Sequence, residues 1–559
     1  MASLPPALQA IKHRGEFGDA RTVRGPASLH RVPAALLSAW RVIAFRWRIP
    51  LGGTTDASVF EIFSICIYMA ALLIWQFVHT DNLTPTFWSN KAAHIAAAQL
   101  CFLPALSAKN NIIGCMRFDL LFLRSLADLN ILHRAFGRCI YVLVWVHVFG
   151  RWRTNTFNPG PDYIPAYGWQ QWGGVAGAAY TLAIILSFRP IRRWSYEIFY
   201  YTHFVLIIVL IVASCIHTTT PGLNYYVWPI WVIWGFERIV RGLRYLVLNV
   251  FCLPRSSVSS TAELVLVTPD TARVRLARRM PLGWAPGQHA FLQFPSVSKF
   301  YFESHPFSIT SIPERGEGDA DELVFYVRAR NGVTRRMIEL AGRKPGARVP
   351  VNIDGPYGHP TDLKPYRTCV LVAGGTGVSY TLPLLLDIVK QASTGAARTA
   401  RVHFVWVARS RAYISSITPI LRQAFAARPS SLDIRISLYV TGTDDESSDK
   451  DSDVIPGLPF MPATSEKDAE AATEAGRPEK QAGLALPELD VVPIHGRPDV
   501  RTIIHEEILH GEGPLAVEVS GPHTLIADAR AEVSNVIKVT GDVLRGGPTV
   551  NFHAETFAY

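Results

Sequence analysis

Apolar residues are not spread evenly along this chain of 559 residues. In the first 250 positions they gather in blocks long enough to cross a hydrocarbon core, at roughly 20 residues each. Six spans are predicted near 59–79, 92–108, 131–150, 172–188, 199–218 and 225–246. Ahead of them, Val32–Phe45 is interrupted by Arg41 and flanked by further basic residues, so residues 1–58 read as a non-spanning region without a secretory signal. Beyond Pro254 the period changes. Ala262–Val267, Ala272–Leu276 and Leu323–Val327 are short β-type runs set off by Gly and Pro, which predicts a β-barrel over 256–362. From 366 to 559 buried strands alternate with helical stretches (Cys369–Ala373, Val378–Gln391, Val402–Ala408), the signature of an α/β nucleotide-type domain. Residues 441–490 interrupt it with thirteen Asp/Glu against four Lys/Arg, and a solvated, disordered insertion is expected there.

Composition agrees with this division. Only 18% of residues are charged and 49% are hydrophobic, so part of the chain avoids water. The formal charge is +10, and its distribution orients the spans. With the N-terminus inside, inner segments carry fourteen Lys/Arg through the fifth span and outer ones only Lys91, Arg151 and Arg153, which places both termini in the cytosol. The longest outer loop is then 151–172, where Arg151 and Arg153 face anionic solutes, and Asn82-Leu83-Thr84 is an outward glycosylation sequon. Seven scattered cysteines without a CxxC pair exclude a disulfide scaffold and a structural zinc site. With the basic surplus on inner loops and phosphate-type motifs, nucleic acid is not an expected partner.

Ionisable groups inside a bilayer are costly and mark function. The third span carries His133 and His147, and the fifth carries His203 and His217. Both pairs are fourteen residues apart, close to the 14.4 residues of four helical turns, so each pair shares a helix face with about 21 Å between its members. One span separates the two helices, so they run in the same direction. His133 then lies level with His203 near the cytosol, and His147 with His217 near the outside. Two facing imidazoles at two levels are the axial ligands expected for two stacked b-type haems. Gly137, one turn beyond His133, leaves room for a macrocycle.

Three motifs follow in the second half. His305-Pro306-Phe307-Ser308 sits on a strand. Gly332-Val333-Thr334 opens a helix after Arg328, where backbone N–H groups can face a phosphate. Gly374-Gly375-Thr376-Gly377 joins an apolar strand to a helix, as a pyrophosphate-binding turn does. In this order, HPFS, GPYG (355–358), GGTGVSYTLP, GRPD (496–499) and the terminal FHAETFAY make the chain from about residue 55 resemble a fungal-type member of the ferric reductase and NADPH oxidase superfamily.

The resemblance implies a six-span membrane haem domain followed by a ferredoxin-reductase-like module, an FAD-binding barrel and an NADPH-binding α/β domain. It implies that His305, Pro306, Phe307, Ser308 and Thr310 line the flavin and its diphosphate, with Arg328, Gly332, Val333 and Thr334 on the diphosphate. Gly374 to Gly377 would cradle NADPH, and Arg409 and Arg411 would hold its 2′-phosphate, a group that suits guanidinium. Ser308, Ser520 and Phe557 would border the reacting rings, with Gly521 and Pro522 beside Ser520. Ser520 stands where many relatives have cysteine. Many relatives also carry a further N-terminal span and ectodomain. The implied activity moves electrons from NADPH through FAD and two haems to outer ferric or cupric chelates, with O₂ as the alternative acceptor. The implied location is the plasma membrane, with the vacuolar membrane as alternative, and an iron permease or oxidase is the implied partner.

Overall fold

The computed structural model describes residues 25–555, leaving aside 52–55, 79–83, 109–125, 158–167, 220–221, 252–259, 314–320, 359–361, 443–492 and the single positions 282, 302, 331 and 512. The acidic insertion, except for Thr441 and Gly442, therefore lies outside the described residues, as do Phe557 and Asn82. The chain divides into two compact units, Arg48–Val247 with Tyr357–His359, and the remainder.

The chain enters through α1 (Val32–Arg41), which belongs to the nucleotide unit. The membrane unit starts with a hairpin of β1 (Arg48–Pro50) and β2 (Asp56–Ser58). Ser58 then begins α2 (Val59–Phe77) with a capping box: its hydroxyl accepts from the Glu61 N–H, and the Glu61 carboxylate accepts from the Ser58 N–H. Next come α3 (Pro85–Gln99), α4 (Phe102–Ser107), α5 (Leu126–Phe157), α6 (Gly168–Leu186), α7 (Arg189–Trp194), α8 (Tyr196–Thr219) and α9 (Trp228–Leu246). Helix occupies each of the six predicted spans. Val59–Phe77, Asn130–Thr154 and Tyr196–Thr219 are long and apolar enough to cross a membrane by length and composition.

Two elements differ from the sequence reading. The second block is broken between α3 and α4, because Pro104 has no N–H to give the Leu100 carbonyl one turn back. The loop expected over 151–172 is shorter, since α5 runs on through Phe157 and α6 starts at Gly168. The unit's core gathers Ile140, Leu143, Ala176, Ala179, Leu210 and Ala213, largely small or branched residues on facing helix sides.

In the nucleotide unit, β3 (Thr261–Thr268), β4 (Thr271–Arg278), β5 (His289–Gln293), β6 (His305–Ser308), β7 (Asp321–Arg328), β8 (Ala347–Pro350) and β9 (Asn352–Tyr357) build the predicted barrel. They form a four-stranded sheet, β7-β4-β3-β8, and a three-stranded sheet, β6-β5-β9. Helix α10 (Val333–Arg343) buries Val333, Met337, Ile338 and Ala341 in the same core, at helical spacing.

The α/β half comprises β10 (Thr368–Gly374), α11 (Val378–Ser393), β11 (Arg401–Ala408), α12 (Arg411–Ala426), β12 (Asp433–Val440), β13 (Ile494–His495), α13 (Val500–His510), β14 (Leu515–Ser520), α14 (His523–Glu532), α15 (Val536–Leu544) and β15 (Val550–Glu555). All six strands are parallel in the order β13-β12-β11-β10-β14-β15. Every residue of β10 is buried, as a central parallel strand requires. The chain winds outward from β10 to β13 and returns on the other side with β14. The order therefore reverses between β10 and β14, and such a reversal opens a ligand crevice at the strands' carboxyl ends.

Candidate cofactor sites

Both histidine pairs occupy α5 and α8 as the spacing predicts. The Nδ1 of His133 lies 3.0 Å from the Leu103 carbonyl, that of His147 3.1 Å from the Ser89 carbonyl, and that of His217 2.9 Å from the Trp169 carbonyl. A carbonyl only accepts, so each Nδ1 donates and each Nε2 is left with its lone pair, the form of imidazole that ligates a metal. The ring centres of His147 and His217 are 6.4 Å apart. Two imidazoles on one metal, at about 2.0–2.1 Å per bond, put their centres roughly 6.3 Å apart. The separation of His147 and His217 is thus that of two imidazoles sharing one metal. His203 has a buried Nδ1 and lies within electrostatic reach of His133.

Glycine shapes this region. A Cβ on Gly173 would sit 2.7 Å from the His217 ring, so only glycine lets α6 approach that imidazole. At Gly137 a Cβ would meet only Leu103, at 3.8 Å, and the Gly137 carbonyl accepts from the Tyr180 hydroxyl at 2.7 Å. His94 stacks on Tyr226. Sequence reasoning missed Gly173 and the three carbonyls. The first sits in an unremarked Trp-Gly-Gly run, and backbone acceptors leave no residue signal.

On the barrel, the motif from His305 to Ser308 is β6, paired with β5 so that Pro306 faces Phe291 and Phe307 faces Ala290. His305 Nε2 is 2.9 Å from Glu303, a buried carboxylate that also lies 3.7 Å from Arg336. Thr310 is buried with its hydroxyl unpartnered by any described residue. Arg328 donates to Asp270 at 2.7 Å, and Thr268 and Thr271 donate to the same carboxylate. Burial raises the Asp270 carboxyl, but the Arg328 charge and these hydrogen bonds hold it below its usual range. Gly332 has φ +77° and starts α10 at Val333, so its left-handed backbone turns the chain into the helix N-terminus. The Thr334 hydroxyl accepts from the Arg330 N–H at 3.0 Å.

At the β10–β14 reversal the two glycine-containing motifs meet. A Cβ on Gly374 would lie 2.7 Å from Pro522, and one on Gly377 would lie 2.1 Å from the Ser520 carbonyl oxygen. Gly375 has φ +56° and open space beyond it, and the turn runs through Thr376 into α11. Ser520 is fully buried with its hydroxyl unpartnered by the described residues, and Gly521 packs on Gly374. The turn and the strand end thus pack directly on one another, with the orphan Ser520 hydroxyl buried beside them. Arg409 is exposed at the end of β11. Arg411 starts α12 and donates to His495 at 2.5 Å, which brings the strand end near Gly496–Asp499. That histidine was not singled out in the sequence, because the acidic insertion separates it from the strand-like run before it.

Three family descriptions match in chain order: "Ferric reductase like transmembrane component" over 92–214, "FAD-binding domain" over 256–361 and "Ferric reductase NAD binding domain" over 366–534. The chain is 24% identical over 422 residues to ferric/cupric reductase transmembrane component 1 of Candida albicans, covering 73% of this chain and 50% of that one. It is 27% identical over 375 residues to the probable cell surface ferric reductase kap2 of Aspergillus oryzae, covering 64% and 48%. The chain thus spans about half the length of these curated relatives. A solved flavohemoglobin from Malassezia yamatoensis superposes with a TM-score of 0.37 at 14% identity, covering 89% of this chain and 98% of its own, a likeness too loose to argue from. By the order and extent of the three matches, with the reductases they accompany, this chain belongs to the fungal ferric reductase family.

Proposed function

We infer that this chain is a six-span transmembrane metalloreductase, taking electrons from cytosolic NADPH and delivering them singly to a ferric or cupric chelate on the opposite face. The observation that carries the reading is the outer histidine pair, whose 6.4 Å separation and carbonyl-bound Nδ1 atoms suit an iron ligated from both sides. His133 and His203 would hold a second iron nearer the cytosol. When bound, the nicotinamide supplies a hydride, the flavin stores two electrons and passes them on singly, and the haem irons carry single electrons.

The protein's own part is placement. The carbonyls of Leu103, Ser89 and Trp169 orient three imidazoles; the Gly374–Gly377 turn admits a pyrophosphate; Arg409 and Arg411 favour the 2′-phosphate that distinguishes NADPH. His305, Ser308 and Thr310 border the flavin side. Ferric or cupric reduction is the named activity of the relatives that match across both halves of this chain. The fourteen-to-three asymmetry of basic residues supports cytosolic termini.

The test is reduction of a membrane-impermeant ferric chelate by intact cells expressing the chain, with and without superoxide dismutase. The expected signal is insensitive to dismutase. Its loss on adding dismutase overturns the reading in favour of O₂ as acceptor. A flat reduced-minus-oxidised Soret spectrum of the purified chain overturns the haem assignment.

A further inference from the structure

Helix α1 buries its small residues and exposes its large ones. Ala35, Ser38 and Val42 are at most 2% exposed, whereas Leu36, Leu37, Trp40, Ile43 and Trp47 are 37–64% exposed. Leu36, Leu37 and Trp40, at i, i+1 and i+4, share one side of α1, and Ile43 follows in the π-helical turn Val42–Arg46 that continues it. A helix facing water shows the opposite pattern.

The inner side is already committed. Helix α1 packs on α15. Arg31 donates to the carbonyls of Val543 (3.0 Å) and Gly547 (3.1 Å), closing the C-terminal end of α15. Buried Arg46 donates to the carbonyls of Val533 and Val550, and Trp47 Nε1 donates to Ser534 at 3.1 Å. The segment is thereby fastened to the nucleotide unit, with a large apolar stripe on its other side.

Chain continuity says what meets that stripe. Ile49 and Leu51, the next large apolar residues in the chain, are exposed as well, and the first span begins at Val59. At no more than about 3.6 Å per residue, Trp47 stays within roughly 40 Å of the span's first turn. A tryptophan at 40 suits the boundary between headgroups and acyl chains.

We propose that α1 and the turn that continues it form an in-plane membrane anchor, with Leu36, Leu37, Trp40 and Ile43 seated among the lipids of the leaflet where the first span starts. Through Arg31 and Arg46 it ties the nucleotide unit to the bilayer surface. The proposal rests on the chain being a membrane protein and is independent of which acceptor is reduced.

The test uses the full chain in nanodiscs of phosphatidylcholine and phosphatidylserine carrying a tritium label. The photoreactive residue p-benzoylphenylalanine replaces Leu36, Trp40 or, as reference, the exposed Thr394 after α11. Lipid labelling at 36 and 40 at least fivefold above that at 394 is expected. Labelling no higher than at 394, or adducts formed only with a second protein chain, overturns the proposal. In a second variant, Leu37→Glu and Ile43→Glu accompany the probe at 40, with flavin content checking the fold. Lipid labelling should fall at least fivefold; unchanged labelling in a flavin-loaded protein overturns the anchor.

Discussion

The imidazole centres of His147 on α5 and His217 on α8 lie 6.4 Å apart, and each ring is held by a carbonyl from a further helix, Ser89 of α3 and Trp169 of α6. Four helices therefore converge on one point. Such outer contacts fix the tautomer and the ring plane before any iron arrives, which keeps the ordering cost of ligation small.

His147→Ala should abolish reduction of an external ferric chelate while NADPH still bleaches the flavin at the wild-type rate. Stopped-flow flavin absorbance and a chelate assay on the same preparation check this. Loss of flavin reduction in a folded, flavin-loaded variant contradicts a serial path.

Gly173→Ala tests the same site without touching a ligand. The new Cβ would lie 2.7 Å from the His217 ring, and α6 cannot retreat without repacking Ala176 and Ala179 in the core. Haem per flavin should fall to about half, as the outer site empties and the inner one stays. A pyridine haemochrome assay against flavin fluorescence reads the ratio, and an unchanged ratio refutes the outer-site assignment.

Local chemistry was readable in the sequence. A fourteen-residue histidine spacing or a glycine turn after an apolar strand is carried by neighbours a few turns apart, and the structure keeps both. What was hidden depends on distant backbone. Arg31 and Arg46 seemed mere orientation charges, yet their acceptors are carbonyls some five hundred positions away. Val32–Phe45, broken by Arg41, gave no span signal. It became a docked helix because the small residues on its other side fit α15. The split of the second block followed from Pro104, whose effect on the Leu100 carbonyl is legible once helix geometry is imposed.

Glycines of one turn should differ sharply. Gly377→Ala drives a methyl to 2.1 Å from the Ser520 carbonyl oxygen, so the turn must open, at a cost of about 3 kcal/mol or more. Gly375→Ala meets no atom within 4 Å and strains only its φ of +56°, at about 1–2 kcal/mol. NADPH-driven flavin reduction should vanish in the first variant and survive, slowed, in the second. Equal loss in both would show that contact with Ser520 is not the constraint.

Arg409→Gln combined with Arg411→Gln should raise the KM for NADPH about tenfold, or about 1.4 kcal/mol, and leave that for NADH nearly unchanged. Initial rates with both coenzymes separate a phosphate contact from a fold defect, since a fold defect weakens both alike. Because Arg411 also donates to His495, the single Arg409→Gln variant isolates the exposed side chain.

The last prediction concerns acid stability. His403 Nδ1 donates to buried Glu507 at 2.9 Å while its Nε2 lies 3.0 Å from the Ser437 hydroxyl, and Arg401 lies 3.8 Å from the same carboxylate. Burial pushes the Glu507 carboxyl up, but the His403 hydrogen bond and the charges of His403, Arg401 and Arg435 outweigh it and hold the group below its ordinary value. A carboxyl depressed in the folded state binds more protons unfolded, so its stabilisation is complete above the ordinary glutamate range and is lost as pH falls through the folded value. Glu507→Gln should therefore cost about 1–3 kcal/mol near pH 7 and progressively less below about pH 4. The temperature of flavin release from the full chain, followed from pH 7 to pH 3.5, should show the two curves converging in acid. Parallel curves would mean that the carboxylate's charge contributes nothing to the stability of this unit.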